Sequence, residues 1–244
     1  FSQNGRMGSM QHQKRRFRGA IGIILISSVY GGLWAQPKLV VQVVVDQMRA
    51  EYLLRFNEQF AQDGGFRMLL DSGFSYANTH YNYVPTYTGP GHASISTGTT
   101  PKYHGIVAND WLDGRSNYEM YCAEDTTVTP VGTVERSSRR SPKNLRALTF
   151  SDAIKLHTNK QGKSFGVSVK DRGAIFPAGH FADGAYWLDG GMHFVSSSYY
   201  NDVLPSYVEK YNSKEKAMLL MKKGWKLEMA SRKYTNSLED ENPF

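Results

Sequence analysis

The stretch LVVQVVVD, residues 39–46, decides the fold class. Its first seven residues are almost all apolar and β-branched, which is typical of a strand buried on both faces of a parallel sheet. A second run of this kind, SFGVSV at 164–169, ends at Lys170. Helical patterns lie between and after these runs, over 52–56, 66–70, 93–99, 149–159 and 205–221. The alternation predicts an α/β fold with a mostly parallel central sheet flanked by helices.

The charge of the chain is concentrated at its N-terminus. The 244 residues include 29 Lys and Arg against 22 Asp and Glu, a net charge of +7. Residues 1–35 contain five of the basic residues and no acidic residue, so the remainder carries 24 against 22, a balance of +2. We therefore predict no nucleic-acid partner. The single cysteine, Cys122, excludes an internal disulfide and a zinc site built on paired thiolates.

Residues 1–35 are expected to combine read-through over 1–9 with a secretory signal, because Met7 or Met10 is the better start. A basic cluster at 14–18 precedes an apolar run at 19–33, and Ala35 ends the segment before Gln36. The run is shorter than the roughly 20 residues that span a bilayer. We predict cleavage after Ala35, export to the periplasm or beyond, and no membrane association afterwards. The alternative is an uncleaved N-terminal anchor.

Charged residues follow both predicted strands. Asp46 ends the first, and Lys170, Asp171 and Arg172 end the second. In open α/β sheets, ligands gather beyond the carboxyl ends of the strands. Position alone leaves two alternatives open, because a strand-terminal Asp can also cap the next helix and Lys-Asp-Arg-Gly also suits a solvated turn.

The segment PTYTGPGHAS, residues 85–94, combines a hydroxyl with a turn that leads into a helix. Gly89 removes side-chain bulk, so its backbone N–H can approach an anion at the helix N-terminus. Thr88 could attack phosphorus or sulfur, but its hydroxyl needs a base or a metal ion. His92 could be that base or a structural residue, and Thr88 could be a threonine in a tight turn.

Four segments of the chain occur together in one order: VVVDQMR at 43–49, PTYTGPGH at 85–92, HGIVANDW at 104–111 and SVKDR at 168–172. With these segments the chain resembles the alkaline phosphatase superfamily, in particular the branch of phosphate-irrepressible alkaline phosphatases, which is related to the nucleotide pyrophosphatase/phosphodiesterases. The resemblance covers about 38–210.

The resemblance implies a role for each motif residue. Thr88 would be the nucleophile and form a phosphothreonine that water hydrolyses. Asp46 would bind a zinc ion that also binds Thr88, as one of two zinc ions in the complete site. Asn109, Lys170 and Arg172 would contact the phosphoryl oxygens. The implied activity is zinc-dependent hydrolysis of small-molecule phosphate monoesters with broad specificity.

Three other functions remain as alternatives. A phosphodiesterase or nucleotide pyrophosphatase could use the same scaffold, although two cations, Lys170 and Arg172, favour a monoester dianion over a diester. A non-catalytic anion-binding module is a further alternative. A sulfatase is disfavoured, because Cys122 lacks the sequence context from which those enzymes make formylglycine.

Most of the implied metal ligands are not found in this sequence. The family places an Asp-x-x-x-His pair, an Asp-His pair and a further His after the Lys-x-Arg segment. This chain has no Asp-His dipeptide, and its one Asp-x-x-x-His, at 189–193, lies in a predicted β-hairpin. We therefore expect 36–244 to be the N-terminal part of a catalytic domain, with a polar surface insertion around 111–143. We expect this fragment to be weakly active or inactive by itself.

Overall fold

The computed structural model describes residues 37–76 and 78–224. Contacts divide the chain into two units, Phe1–Val44 and Val45–Phe244. The predicted signal segment, 1–35, lies outside the described residues. None of the helices in the described ranges has the length and apolar character needed to cross a membrane.

The described part of the first unit, 37–44, has no regular secondary structure. Leu39, Val41 and Val43 are 70–78% exposed, and the run ends at Val45, which belongs to the second unit and is 54% exposed. The prediction of a buried strand over 39–45 is wrong for this structure. β-Branched composition favours a strand only where neighbouring strands pair with its backbone and cover its side chains.

The second unit contains helices and strands in alternation. The described helices are α1 (Glu51–Arg55), α2 (Gly65–Ser72), α3 (Thr88–Thr97), α4 (Pro101–His104), α5 (Phe150–His157), α6 (Asp171–Ala178), α7 (Ser206–Asn212) and α8 (Lys216–Lys222), with single 3-10 turns at Asn57–Gln59 and Arg136–Ser138. The strands are β1 (Asp110–Asp113), β2 (Tyr118–Tyr121), β3 (Pro130–Val131), β4 (Phe165–Val167), β5 (Gly184–Leu188) and β6 (Phe194–Ser197).

Four of the strands form one sheet in the order β3-β6-β5-β4, and β1 pairs with β2 as a separate antiparallel hairpin. In the four-stranded sheet β4 and β5 are parallel, whereas β5–β6 and β6–β3 are antiparallel. Helix α6 packs against β4, β5 and α3. The predicted α/β fold is confirmed, and the sheet in the described part of the chain is mixed.

The hydrophobic core lies between α6 and the sheet. The core residues are Ala93, Ile106, Cys122, Ala123, Leu145, Ala174, Ile175, Phe176, Ala178, Ala185, Trp187 and Val195. Gly166 in β4 permits the close approach of α6, because a Cβ there would overlap the carbonyl oxygen of Ala174. Since Cys122 and Ala123 are fully buried, the segment 111–143 is only partly the surface insertion that its polar composition predicts.

The helix boundaries differ from the predicted ones at two places. Helix α3 begins at Thr88, five residues before the predicted start at 93. The predicted single helix at 205–221 is two helices, α7 and α8, separated at 213–215. Glu215 there adopts a left-handed φ of 46°, which an α-helix cannot continue through.

Candidate active site

The first turn of α3 presents the predicted nucleophile. Tyr87 occupies the N-cap position in an extended conformation, and Thr88 is the first residue of the helix. The Thr88 hydroxyl donates to Asp46 Oδ2 at 3.3 Å. Asp46 is exposed and Thr88 is half-buried, so solvent reaches both oxygens. The structure thus brings together the hydroxyl and the carboxylate that the sequence places 42 residues apart.

Asn109 is held against the same turn. The Gly89 N–H donates to Asn109 Oδ1 at 2.7 Å. Because Oδ1 accepts this bond, the donor end of the amide is the nitrogen Nδ2. The Gly89 N–H, predicted to contact a phosphoryl oxygen, is therefore engaged with a side chain in this structure. Gly89 orients Asn109 instead.

The buried side chain of His92 is held by a contact with the backbone of Thr88. It is buried, with 7% of its surface exposed. Its Nδ1 lies 3.0 Å from the carbonyl oxygen of Thr88, one helical turn earlier, and a carbonyl can only accept. His92 Nδ1 therefore carries a proton and cannot remove one from the Thr88 hydroxyl.

The predicted cations lie at the start of α6. Lys170 is the N-cap residue and is exposed, and Arg172 is in the first turn. Arg172 Nη1 donates to the Tyr121 hydroxyl at 2.9 Å, and its backbone N–H donates to Asp171 Oδ1 at 2.7 Å. Arg172 Nε is buried and contacts no hydrogen-bond acceptor among the described residues. A buried donor of this kind calls for an acceptor that the described chain does not supply.

Cys122 packs against the first turn of α3. Its sulfur lies 3.2 Å from the position that a Cβ on Gly89 would take, and its N–H donates to the Asn109 carbonyl at 2.8 Å. Burial raises the pKa of Cys122 to about 12, and the charge of Asp171 adds to this effect while that of Arg172 opposes it. The thiol is therefore neutral.

A cleft of about 230 Å³ opens beside Lys170 and Arg172. It lies at the carboxyl ends of the parallel strands β4 and β5, where α/β sheets place their ligands. Its lining consists of Tyr121, Glu135, Ser137, Ser138, Arg140, 169–172 and 187–190. The two predicted phosphate-binding cations, Lys170 and Arg172, therefore line this cleft.

His104, His180 and His193 have partners of their own within the described part of the chain. Asp189 Oδ1 accepts the backbone N–H groups of Gly191 and His193, which confirms the predicted hairpin at 189–193. His104 and His180 are hydrogen-bonded inside the protein. Residues 37–76 and 78–224 contain no group of three or more His, Cys, Asp or Glu side chains placed to hold a metal ion.

Two contacts of this region were not predicted from the sequence. Tyr121 and Arg140 both contact Asp171, although they precede it by 50 and 31 residues. The only local signal is the apolar run Tyr121-Cys122-Ala123 inside a polar segment, which indicates burial but not the partner.

Comparison with known proteins places this site in a family. The family model described as type I phosphodiesterase / nucleotide pyrophosphatase matches residues 40–242. The chain is 42% identical over 226 residues to alkaline phosphatase PafA of Elizabethkingia meningoseptica, covering 90% of this chain and 41% of PafA. It is 44% identical over 210 residues to a protein of Myroides odoratus named calcium-transporting ATPase, covering 86% of this chain and 38% of that protein.

Solved structures of alkaline phosphatase PafA match this fold. The wild-type structure aligns with a TM-score of 0.81 at 45% identity, and a variant with four substitutions aligns with a TM-score of 0.82 at 43% identity. Each alignment covers 84% of this chain and 40% of PafA. The chain spans about 40% of the length of the relatives it matches. It belongs to the type I phosphodiesterase / nucleotide pyrophosphatase family, on the branch that includes the PafA alkaline phosphatases.

Proposed function

We propose that this chain carries the nucleophile and the phosphate-binding groups of a phosphate monoesterase. The observation that carries the proposal is the Thr88 hydroxyl beside Asp46, with Lys170 and Arg172 at the start of α6, the helix that packs against α3. The PafA variant of known structure replaces a threonine, an asparagine, a lysine and an arginine. Residues of these four types, in the same order, are Thr88, Asn109, Lys170 and Arg172 in this chain.

The reaction proceeds in two displacements at phosphorus. Thr88 Oγ1 forms a bond to phosphorus while the bond to the alcohol oxygen breaks, which yields a phosphothreonine and releases the alcohol. Water then attacks the phosphothreonine and releases inorganic phosphate and the Thr88 hydroxyl. The amide of Asn109 donates to one non-bridging oxygen, and Lys170 and Arg172 neutralise the charge on the others. The unpartnered Arg172 Nε supports this role.

Asp46 and Thr88 are proposed to supply two ligands of a zinc ion. A bound zinc ion lowers the pKa of a coordinated hydroxyl and so favours its attack. Zinc sites in proteins take about four ligands. The described residues hold no metal-binding group of three or more His, Cys, Asp or Glu side chains, so they do not complete the expected two-zinc site.

The charge at α6 favours a monoester over a diester. A phosphate monoester is a dianion with three non-bridging oxygens, whereas a diester carries one charge and a second organic group. Lys170 and Arg172 provide two positive charges, and Asn109 provides a neutral donor. The phosphodiesterase and nucleotide pyrophosphatase members of the family make diester hydrolysis the second candidate.

Ligand binding to the purified chain separates these candidates. Calorimetric titration with methyl phosphate and dimethyl phosphate is expected to show preference for the monoester. Lys170→Ala and Arg172→Ala are each expected to weaken methyl phosphate binding by roughly tenfold to a hundredfold, because each removes a charged hydrogen bond. Lys163→Ala, which removes an exposed lysine paired with Asp183, is the matched control and should leave the affinity unchanged. Equal affinity for the two esters would favour the diesterase.

The nucleophile is tested by turnover. Thr88→Ala should abolish the release of nitrophenol from p-nitrophenyl phosphate, and Thr88→Ser should retain part of it. Both variants should bind methyl phosphate within about twofold of the parent chain, since the other phosphate contacts remain. Because this chain is expected to be weakly active at most, the test requires measurable release by the parent chain, and release by Thr88→Ala at that same rate would remove Thr88 from the mechanism.

We propose that the protein is exported through the segment 1–35 to the periplasm or beyond. The support is the signal pattern of the sequence. Expression with this segment in a bacterial host is expected to give a secreted or periplasmic product. Mass spectrometry should show that the first residue of this product is Gln36. A product that keeps residues 1–35 and stays with the membrane would instead support the uncleaved anchor.

A further inference from the structure

The carboxylate of Asp171 accepts three hydrogen bonds, two of them from distant parts of the chain. Its Oδ1 accepts the Tyr121 hydroxyl and the backbone N–H of Arg172, and its Oδ2 accepts Arg140 Nε at 2.8 Å. The side chains of Arg140 and Asp171 are only 15% and 13% exposed, so this ion pair is largely shielded from solvent. Two arginines and one lysine meet here, and Asp171 neutralises Arg140. The charges of Lys170 and Arg172 are left for an anionic ligand.

The ring of Tyr121 lies close to both arginines. The guanidinium carbon of Arg140 is 4.2 Å from the centre of the Tyr121 ring, and that of Arg172 is 5.9 Å from it. The Tyr121 hydroxyl donates to Asp171 and accepts from Arg172 Nη1 at 2.9 Å. The contacts with Tyr121 limit rotation about the side-chain torsions of Arg140 and Arg172.

The bond to Tyr121 determines which edge of Arg172 remains for a ligand. A guanidinium has five N–H donors in one plane, and two parallel donors can grip two oxygens of a phosphoryl group. Nη1 is occupied by Tyr121, while Nε is buried and has no acceptor among the described residues. Nη1 gives one of its two N–H groups to Tyr121, so the edge that makes no hydrogen bond within the described ranges is the one formed by Nε and Nη2.

We propose that Tyr121, Asp171 and Arg140 are positioning residues that hold the Arg172 guanidinium with its Nε–Nη2 edge toward the phosphoryl group. This inference rests on the proposed function, because it takes Arg172 as a phosphate ligand. The positioning residues do not touch the substrate. They act by removing the rotational freedom that Arg172 would otherwise lose when phosphate binds, so phosphate binds more tightly.

A double-mutant cycle on inorganic phosphate binding tests the inference. Tyr121→Phe keeps the ring and removes the hydroxyl, and it should weaken phosphate binding by roughly threefold to tenfold. In an Arg172→Ala background the same change should have no further effect, since its target is gone. In a Lys170→Ala background it should have its full effect, because the Tyr121 hydroxyl bonds Asp171 and Arg172 and not Lys170 in the described part of the chain.

The matched control is Tyr118→Phe. Tyr118 lies on the same strand and also donates its hydroxyl to an acid, Glu124, at 2.8 Å, but it has no contact with Arg172. It should leave phosphate affinity unchanged. Asp171→Asn is the second variant and should weaken binding in the same background-dependent way. Circular dichroism and urea unfolding verify that each variant is folded before its affinity is compared.

The outcomes separate this inference from the proposed function. If Arg172→Ala leaves phosphate affinity unchanged, or if the parent chain binds no phosphate, the proposed role of Arg172 fails and the positioning inference fails with it. If Arg172→Ala weakens binding but Tyr121→Phe and Asp171→Asn do not, the proposed function stands and the positioning inference is overturned. An equal loss from Tyr121→Phe with and without Arg172 also overturns it, because Tyr121 would then act by another route.

Discussion

Gly89 is a tightly enclosed position of the candidate site. A Cβ at this residue would lie 3.1 Å from the Ala108 carbonyl oxygen, 3.1 Å from Asn109 Oδ1 and 3.2 Å from Cys122 Sγ. Two of these neighbours are a backbone oxygen and a buried sulfur, which have little room to move. The absence of a side chain therefore allows α3 to approach Asn109 closely enough for the 2.7 Å hydrogen bond between them.

Gly89→Ala is expected to destabilise the protein by about 1–3 kcal/mol, which is the usual cost of an added methyl group in a packed site. It should also weaken methyl phosphate binding, because Asn109 must move away from Gly89. Urea unfolding measures the first effect and calorimetric titration measures the second.

The matched control is Gly91→Ala in the same helix. A Cβ there meets only the Tyr81 hydroxyl, at an ordinary 3.5 Å, and alanine stabilises a helix relative to glycine by up to about 1 kcal/mol. Gly91→Ala should therefore be neutral or stabilising. If the two alanine variants have the same stability, tight packing at Gly89 is not what constrains this turn.

At this scale, the sequence predicted the residues that act within their own motifs. Thr88 and Asp46 are each recognisable in a short local pattern, and the structure brings them to 3.3 Å. Tyr121 and Arg140 were not predicted, because their importance comes from contacts with Asp171 across 31 to 50 residues. The residues that surround a tyrosine in a polar segment do not indicate that it makes such a long-range contact.

Helix α5 begins with a reciprocal capping box. The Thr149 hydroxyl oxygen accepts the Asp152 N–H at 3.0 Å, and Asp152 Oδ2 accepts the Thr149 N–H at 2.9 Å. Two of the N–H groups that a helix leaves without partners are thereby satisfied. Both residues are buried, so water cannot replace these bonds.

Thr149→Ala should lower the free energy of unfolding by about 1–2 kcal/mol, the upper part of the range for a lost N-cap. Thr149→Ser keeps the accepting oxygen and should recover most of this loss. Equilibrium urea unfolding of the three proteins provides the comparison. If serine and alanine are equally destabilising, the lost methyl packing rather than the cap is responsible.

The elements that were predicted correctly carry their own boundary signals. Helix α5 has a cap and an apolar face, and the β5–β6 hairpin has its Gly-Gly turn, so local chemistry fixes both. The segment 39–45 has composition alone, and in this structure it forms no strand. The break between α7 and α8 depends on the left-handed backbone conformation of Glu215. Glutamate rarely adopts this conformation, so the sequence does not predict the break.

At the scale of the whole molecule, an internal ion pair joins segments that are far apart in sequence. His180 Nδ1 contacts Asp152 Oδ2 at 2.9 Å, and His180 Nε2 contacts the Leu145 carbonyl oxygen at 2.9 Å. Both acceptors lack protons, so the doubly protonated imidazolium satisfies both contacts. Asp152 also accepts the Phe181 N–H at 2.9 Å. The pair therefore connects α5, the loop before it and the segment after α6.

The pair of His180 and Asp152 contributes most to stability at intermediate pH, where His180 is protonated and Asp152 is ionised. The hydrogen bond to Asp152 raises the pKa of His180 above its usual 6.5, against the opposing effect of burial. Burial by itself would raise the pKa of Asp152, but hydrogen bonds from His180, Thr149 and Phe181 outweigh it and leave the pKa below 3.8. The stabilisation from His180 is complete below pH 6.5 and is lost as pH rises through its folded pKa. That from Asp152 is complete above pH 3.8 and is lost as pH falls through its folded pKa.

A second buried histidine acts in the opposite direction. His104 is fully buried, its Nδ1 accepts the Ile106 N–H, and its Nε2 contacts the Ser94 hydroxyl at 2.9 Å. Burial lowers the pKa of His104 from 6.5 to about 4. Because the unfolded chain protonates this group first, stability is lost as pH falls below 6.5 toward 4.

Urea unfolding from about pH 4 to about pH 9 should therefore show maximal stability near the ordinary pKa of histidine, with losses on both sides. The alkaline loss belongs to His180, so His180→Gln should flatten the curve above pH 6.5, while the loss that His104 causes as pH falls below 6.5 should remain. His193→Gln, which replaces a histidine whose side chain is 45% exposed, is the control and should leave both sides of the curve in place. An alkaline loss that persists in His180→Gln would mean that the pair with Asp152 is not its source, since no other described histidine is held by a carboxylate in the interior.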